Sequence, residues 1–429
     1  MSISFGVGYP KAVKLRSVAI ALLAGVSVTP TGWSRTAPTR GVGSSISAAQ
    51  PARLGVSPGA SGNGLGNAIA LGSIHWDGAQ ASALDTAGQR HLLTLDRSLQ
   101  ETATRLLRTA RPTRGAIVVI SASDGRVLAL SEQPASVPFS QSLVWSAITP
   151  SASLFKLVTT AALVERAQIQ PDHRVCTEGG EHRLETRHLS APRNGRVICS
   201  EFVEILASSR NAAYARLVHS HLSPDDLENF ADRFGFNAPL PADVPAELGR
   251  FRGASEPLAL VRTATGFVGS SLSALGAAYL AFVIARGGMS YGVKLLETSE
   301  DVGAPSLGSA EAVQAHSMTE PGAHRPERVI APSTVSRLRD MMERVVSHGT
   351  AADAFRDGSG RPMLPQIRIA GKTGTLGRDE HTASWFVGFA PSRDPKVVIA
   401  VLLDNGAVWH KTAKLIAGTL LQKYFEAPR

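Results

Sequence analysis

Strand-forming runs lie near both ends of this chain, and a long stretch of helix-forming and polar sequence separates them. Toward the front, residues 116–121 and 126–130 are short runs rich in Val, Ile and Leu on either side of Ala122-Ser123-Asp124-Gly125. An Asp-Gly pair between two such runs predicts a β-hairpin, because those residues accept the dihedrals of a tight turn. Toward the end come 366–375, where Ile367 and Ile369 alternate with polar neighbours, then 383–390 and 397–404 around the turn Pro391-Ser392-Arg393-Asp394-Pro395. A helix stands outside each group. Leu95, Leu99, Ala103, Leu106, Leu107 and Ala110 recur at helical spacing behind Asp96, a candidate N-cap, and a last helix spans 408–425. Between the groups, helical segments run through Phe202, Leu206, Tyr214 and Leu217, through 274–285 up to the stop Arg286-Gly287-Gly288, and through 332–347, with 299–328 loop-like. The order predicts an α+β domain: a five-stranded antiparallel sheet flanked by terminal helices, with an all-helical lobe inserted after the second strand.

Charge places the remainder of the chain. The formal charge is +9, yet Lys11, Lys14, Arg16, Arg35, Arg40 and Arg53 all precede the first acidic residue, Asp77. The rest is nearly balanced and has no basic helix with interleaved aromatics, so no nucleic-acid partner is expected. Lys11, Lys14 and Arg16 lead into an apolar run of about eleven residues at 18–28, the pattern of a signal peptide or short membrane anchor over 1–30. Residues 31–91, rich in Gly, Ser, Ala and Pro, read as a disordered linker, and 92–429 as the folded domain. Gly62, Gly64 and Gly66 lack the preceding strand and following helix of a phosphate-binding loop. Cys176 and Cys199 suit one disulfide in an exported protein; two free thiols, or a zinc site with His182 and His188, are the alternatives.

One short motif carries chemistry. Ser153-Leu154-Phe155-Lys156 opens an apolar run, and on a helix the three-residue spacing puts both side chains on one face, an amine within reach of a hydroxyl. Burial by Leu154, Phe155, Leu157 and Val158 would lower the lysine's pKa toward a base's working range. Ser151, by contrast, reads as a helix-start residue. Further on stand Ser209-Arg210-Asn211 in an inter-helix turn and Lys372-Thr373-Gly374-Thr375 on a strand. S-x-x-K, a Ser-x-Asn relative and K-T-G, in this order, form the signature of penicillin-binding proteins and class A β-lactamases.

The surrounding sequence resembles the transpeptidase domain of high-molecular-weight penicillin-binding proteins. Thr94-Leu95-Asp96-Arg97-Ser98-Leu99-Gln100, Gly115-Ala116-Ile117-Val118-Val119, Asp124-Gly125-Arg126-Val127-Leu128-Ala129, Gly349-Thr350-Ala351 and Trp385-Phe386-Val387-Gly388-Phe389-Ala390-Pro391 match that family's wording. The likeness covers about residues 92–426, and neither a glycosyltransferase domain nor a pedestal domain is recognisable ahead of it.

The resemblance implies a serine acyltransferase that cross-links peptidoglycan. Ser153 would be the nucleophile and Lys156 the base; Ser209 would relay a proton and Lys372 keep it polarised. Asn211 would bind the substrate amide, while Thr373, Gly374 and Thr375 would hold the terminal carboxylate and strand edge, with the Ser153 and Thr375 N–H groups as oxyanion hole. No metal or organic cofactor is required. The implied partners are stem peptides ending in D-Ala-D-Ala, β-lactams as inhibitors, and other cell-wall synthesis proteins. The implied location is the periplasm or the outer face of the cytoplasmic membrane. A D,D-carboxypeptidase, a β-lactamase and a non-catalytic β-lactam sensor or wall scaffold are the competing readings. Asp379 and His381 read as solvated loop residues and Tyr214 as packing.

Overall fold

A computed structural model of the chain describes residues 69–193, 195–297, 324–378, 381–405 and 412–426. The expected signal or anchor at 1–30, the linker at 31–68, most of the 299–328 loop, and Asp379 lie outside the described residues, as does the side chain of His381.

The described chain opens with a three-stranded antiparallel meander, β1 (His75–Asp77), β2 (Gln80–Leu84) and β3 (Arg90–Leu93). This corrects the linker reading for residues 69–91. Ala81 and Ala83 point into the core with Ile69 and Leu93, and such small side chains give little periodic signal in the sequence although they pack fully. Helix α1 (Arg97–Ala110) follows, its Leu99 N–H donating to the Asp96 carboxylate at 2.8 Å as the N-cap reading requires. The predicted hairpin forms from β4 (Arg114–Ser121) and β5 (Val127–Gln133), with Gly125 at a φ of 78° in its turn.

The chain then leaves the sheet. After β6 (Thr149–Pro150) and a 3-10 turn at Ala152–Leu154, helix α2 (Lys156–Glu165) enters the interior, where every residue from Lys156 to Val164 is buried. Strands β7 (Arg174–Thr177) and β8 (Ile198–Glu201) pair with Cys176 opposite Cys199, and those two cysteines form a disulfide. That decides among the three sequence alternatives. The helical lobe continues with α3 (Phe202–Ala207), α4 (Asn211–His221) and α5 (Pro224–Arg233), then β9 (Gly249–Phe251), α6 (Pro257–Ala264) and β10 (Ser270–Leu272). Strands β6, β10 and β9 make a small sheet in that order.

Helix α7 (Ala274–Ala285) is buried on all sides and leads through the pair β11 (Met289–Ser290) and β12 (Glu327–Arg328) to α8 (Pro332–Ser347). The chain returns to the sheet as β13 (Ala370–Arg378), β14 (His381–Ala390) and β15 (Val397–Asn405), and α9 (Ala413–Glu426) closes it. Ile367 and Ile369 precede β13 rather than belong to it, because the Ile367 N–H bonds the Leu364 carbonyl at 3.1 Å in a turn. Their alternation reflects packing beneath α8 instead of strand pairing.

The main sheet is antiparallel throughout, in the order β13-β14-β15-β4-β5, as expected. Strand alternation divides its side chains between two cores. Ile117, Val119, Ile399 and Val401 face α1 and α9, whereas Ala116, Val118, Val398 and Ala400 face the cluster containing α2 and α7. Because both faces are covered, the strands read as continuous apolar runs. The order also leaves β13 at one edge, beside the 3-10 turn that carries Ser153.

Two backbone features hold that turn. Ala152 has a φ of 48°, and the chain behind it is Gly266, itself at a φ of 81°. A Cβ on Gly266 would lie 1.8 Å from the Ala152 carbonyl oxygen. Gly266→Ala should therefore destabilise the fold by about 2 kcal/mol or more and displace Ser153. Urea denaturation and the rate of penicillin labelling measure the two effects; an unchanged midpoint would show that the Ala152 turn is free to move.

Candidate active site

The turn that carries Ser153 is held through its backbone. The Trp385 indole N–H donates to the Pro150 carbonyl at 2.9 Å, and the Ser151 N–H donates to the Ser270 carbonyl at 3.1 Å, which tethers the turn to β14 and to β10. Ser151 does not cap the helix: it is buried, and its hydroxyl pairs with that of Ser270. Gly374 of β13 packs directly on the turn, since a Cβ there would come within 3.3 Å of the Ala152 and Trp385 Cβ atoms. Ser153 itself sits in the 3-10 turn, three residues ahead of the regular helix expected to carry it, and Lys156 is the first residue of α2.

The structure brings the three motifs together. Lys156 Nζ lies 3.2 Å from Ser153 Oγ and 3.1 Å from Ser209 Oγ, and it donates to the Ser209 carbonyl at 2.7 Å and to Asn211 Oδ1. Lys372 Nζ is 3.0 Å from the same Ser209 hydroxyl and donates to the Thr373 carbonyl at 2.8 Å. Ser209 can stand between the two amines because it adopts a left-handed φ of 55° in the turn joining α3 to α4. A non-glycine residue in that region costs of order 1–3 kcal/mol, so the surrounding packing has to impose it.

The hydrogen-bond geometry defines what Lys156 can do. The Ser209 carbonyl and Asn211 Oδ1 are acceptors only, so they take two N–H bonds of the amine. In the neutral amine the remaining direction is a lone pair, and the two groups left near it are the hydroxyls of Ser153 and Ser209. Burial favours that neutral form. Both lysines are fully buried, and among the described residues none of their hydrogen-bond partners is a carboxylate. Desolvation, aided by the nearby Lys372 charge, pushes Lys156 well below the usual lysine range, with Glu181 pulling weakly the other way. Desolvation alone brings Lys372 down to about 7. Tyr214, read as packing, is buried and hydrogen-bonded to Thr160 at 2.6 Å, but its ring also lies 5.2 Å from Lys156 Nζ.

Around this centre is a cleft of about 300 Å³. Ser153, Ser209, Asn211, Thr373 and Thr375 all line it, the two threonines on one face of β13 and Lys372 on the other. Among the other lining residues, Glu181, Thr350, Ser384 and Lys414 were missed by sequence reasoning. Glu181 accepts from the Asn211 N–H at 3.1 Å, and its carbonyl accepts from the Asn211 side-chain amide. Thr350 pairs its hydroxyl with that of Thr373. Lys414 donates to the Thr350 carbonyl at 3.0 Å and to Asp353 at 2.6 Å, and Ser384 accepts from the Ala413 N–H at 3.3 Å. These residues come from separate segments with no mutual spacing; only Thr350, inside the quoted Gly349-Thr350-Ala351, had any signal.

Lys372 also makes stability depend on pH. Its folded value of about 7 lies below the ordinary 10.5, so at lower pH both states carry the proton and burial is penalised in full. Between those two values the unfolded chain holds a proton that the folded chain has released, and stability rises with pH by at most about 1.4 kcal/mol per unit. Lys372→Met should therefore be more stable than the wild type at about pH 6, with its advantage shrinking toward about pH 10. Denaturant titrations across that range check this; a difference independent of pH would mean that Lys372 keeps an ordinary pKa.

Comparison with known proteins agrees with this geometry. The family described as the penicillin binding protein transpeptidase domain matches residues 115–426. Peptidoglycan D,D-transpeptidase PbpA of Mycobacterium tuberculosis is 27% identical over 332 residues, covering 69% of this chain and 63% of the relative. Stage V sporulation protein D of Bacillus subtilis is 25% identical over 338 residues, covering 73% and 49%. The chain thus matches less than two thirds of the length of these relatives. Among solved structures, PBPA of M. tuberculosis superposes with a TM-score of 0.59 at 21% identity, covering 78% of this chain and 81% of that one. Its imipenem acyl-enzyme complex gives 0.58 at 21% identity, covering 78% and 79%. The chain belongs to the penicillin-binding protein transpeptidase domain family.

Proposed function

We propose that the chain is a peptidoglycan D,D-transpeptidase that works through a Ser153 acyl-enzyme. The observation that carries this reading is the Lys156 amine, buried, depressed in pKa and 3.2 Å from the Ser153 hydroxyl. Neutral Lys156 accepts the hydroxyl proton as Ser153 Oγ attacks the carbonyl of the penultimate D-Ala, forming a C–O bond and a tetrahedral oxyanion. The backbone N–H groups of Ser153 and Thr375 receive that oxyanion, where loss of one donor typically costs about 3–4 kcal/mol. When the C–N bond breaks, the proton passes through the Ser209 hydroxyl to the departing D-Ala amine. Lys372 holds Ser209 from the other side, and Asn211 anchors Lys156 while presenting its amide to the substrate. A primary amine then attacks the ester carbonyl, gives up its proton by the same route and releases Ser153.

The donor's terminal carboxylate belongs over the hydroxyls of Thr373 and Thr375, and its backbone extends along the free edge of β13, with Gly374 allowing the close approach. A β-lactam enters the same path, as imipenem does in the M. tuberculosis relative. The Cys176–Cys199 disulfide supports a working place outside the cytoplasm, on the cell wall. Among the described residues, no helix is long and apolar enough to cross a membrane.

The decisive experiment follows fluorescent penicillin and a D-Ala-D-Ala peptide, with and without an added amine. Ser153→Ala should abolish labelling, and product that depends on the amine should exceed hydrolysis; absence of labelling in the wild type would sink the reading, and release by water alone would make the chain a carboxypeptidase. Lys156→Ala should slow acylation about 10²–10⁴-fold. Lys156→Arg should be as inactive, because a guanidinium keeps its proton, so a retained charge cannot substitute for a base. Wild-type acylation should fall as pH drops through the lowered Lys156 pKa; a rate flat down to about pH 5 would remove lysine as the base.

A further inference from the structure

The loop joining β7 to β8, closed at its base by the Cys176–Cys199 disulfide, reaches into the catalytic cleft at Glu181. Helix α4 begins there at Asn211, and the residue before it, Arg210, supplies no side-chain cap. The Asn211 N–H, at the very start of the helix, has no partner within α4, and the Glu181 carboxylate accepts it at 3.1 Å. One residue earlier the loop touches the helix directly. Gly180 has a φ of 79°, and a Cβ on it would fall 2.7 Å from the Ala212 Cβ and 3.1 Å from the His188 ring. Arg216, further along α4, donates to the Cys176 carbonyl and ties down the base of the loop. Contacts between the loop and α4 thus set where Glu181 stands.

The same residue fixes the Asn211 side chain. The Glu181 carbonyl oxygen is an acceptor only, and it takes a hydrogen bond from the Asn211 amide nitrogen. That turns Oδ1 toward Lys156, whose amine donates to it. Reversed, the amide would aim an N–H at the neutral amine and occupy the lone pair that the Ser153 proton needs. We infer that Glu181 is a positioning residue for acylation: its carboxylate docks the start of α4, and its carbonyl orients the Asn211 amide so that the Lys156 lone pair stays open to Ser153. The inference rests on the acyl-enzyme reading above. Glu181 also reaches Lys156 through its charge. Lys372 on β13, Tyr214 on α4 and Glu181 are the titratable groups facing the amine, and the Glu181 carboxylate lies 3.5 Å from Arg210. Lys372 lowers the pKa of Lys156 and Glu181 raises it, whereas α5 and α8, which also pack on α2, place no charge that shifts it.

The test measures the rate of Ser153 acylation by fluorescent penicillin across about pH 5–10, in variants whose folding is checked by urea denaturation. Glu181→Ala should lower the high-pH plateau about 10–100-fold, the scale of a misplaced catalytic group. Glu181→Gln still offers an oxygen to the Asn211 N–H, so its plateau should stay within about threefold of the wild type. Its acid limb should move to lower pH, because the carboxylate that raises the Lys156 pKa is gone. In an Asn211→Ala background, Glu181→Ala should cost less than about twofold more, since a residue that acts through Asn211 has nothing left to orient. A wild-type plateau in Glu181→Ala, or its full cost persisting without the Asn211 side chain, would overturn the inference. Should Glu181→Ala fail to fold, Glu181→Gln decides alone: a plateau near the wild type with a shifted acid limb supports the assignment, and an unmoved limb or a collapsed plateau refutes it. A wild type that penicillin does not label would instead overturn the acyl-enzyme reading.

Discussion

Two lysine amines buried around one serine hydroxyl set the terms for the rest of this domain. Lys156 and Lys372 approach Ser209 Oγ at 3.1 and 3.0 Å, and their partners are hydroxyl and carbonyl oxygens. A buried ammonium without a carboxylate is costly, and the least costly response is to give up the proton. The same desolvation that weighs on stability therefore makes an amine basic enough to act and neutral enough to accept. The bill is met by apolar packing elsewhere: α2 is buried along its length, and the sheet beside it is covered on both faces.

Neutral amines at the centre require that the groups around them be placed without charge to attract them. Backbone geometry does this. Ala152 and Ser209, on the two sides of Lys156, both hold left-handed dihedrals, and neither would keep them in isolation. Gly266 fills the space behind one, and the α3–α4 junction imposes the other. Gly374 and Trp385 then press β13 and β14 against the turn, so that Ser153 is located by contacts to three different segments of the chain.

What the sequence reveals about such a site depends on how local each constraint is. Ser153 and Lys156 are three residues apart, and Lys372 to Thr375 are consecutive, so a short motif carries each. The hairpin around Gly125, the Asp96 cap and helices 274–285 and 332–347 were legible for the same reason. The meander at 69–93 was not, because buried Ala81 and Ala83 look like linker composition. Ile367 and Ile369 misled in the opposite direction, being apolar and alternating yet held in a turn. Glu181, Thr350, Ser384 and Lys414 escaped because their meeting is a product of the tertiary fold. Ser151 looked like a cap, and only the arrival of β10 gives its hydroxyl another partner.

The distribution of charge along the cleft follows from these placements. At the reacting centre burial drives the amines toward neutrality; at the rim, charged side chains stand in pairs, Lys414 with Asp353 and Arg210 with Glu181. Rim pairs that stay in solvent contribute little to stability. Removing the buried Lys156 amine should slow acylation of Ser153 whatever the donor. The separation has a physical origin: a group can be a base or a fixed charge at neutral pH according to whether the fold dries it, and this chain dries two lysines and leaves the rim wet.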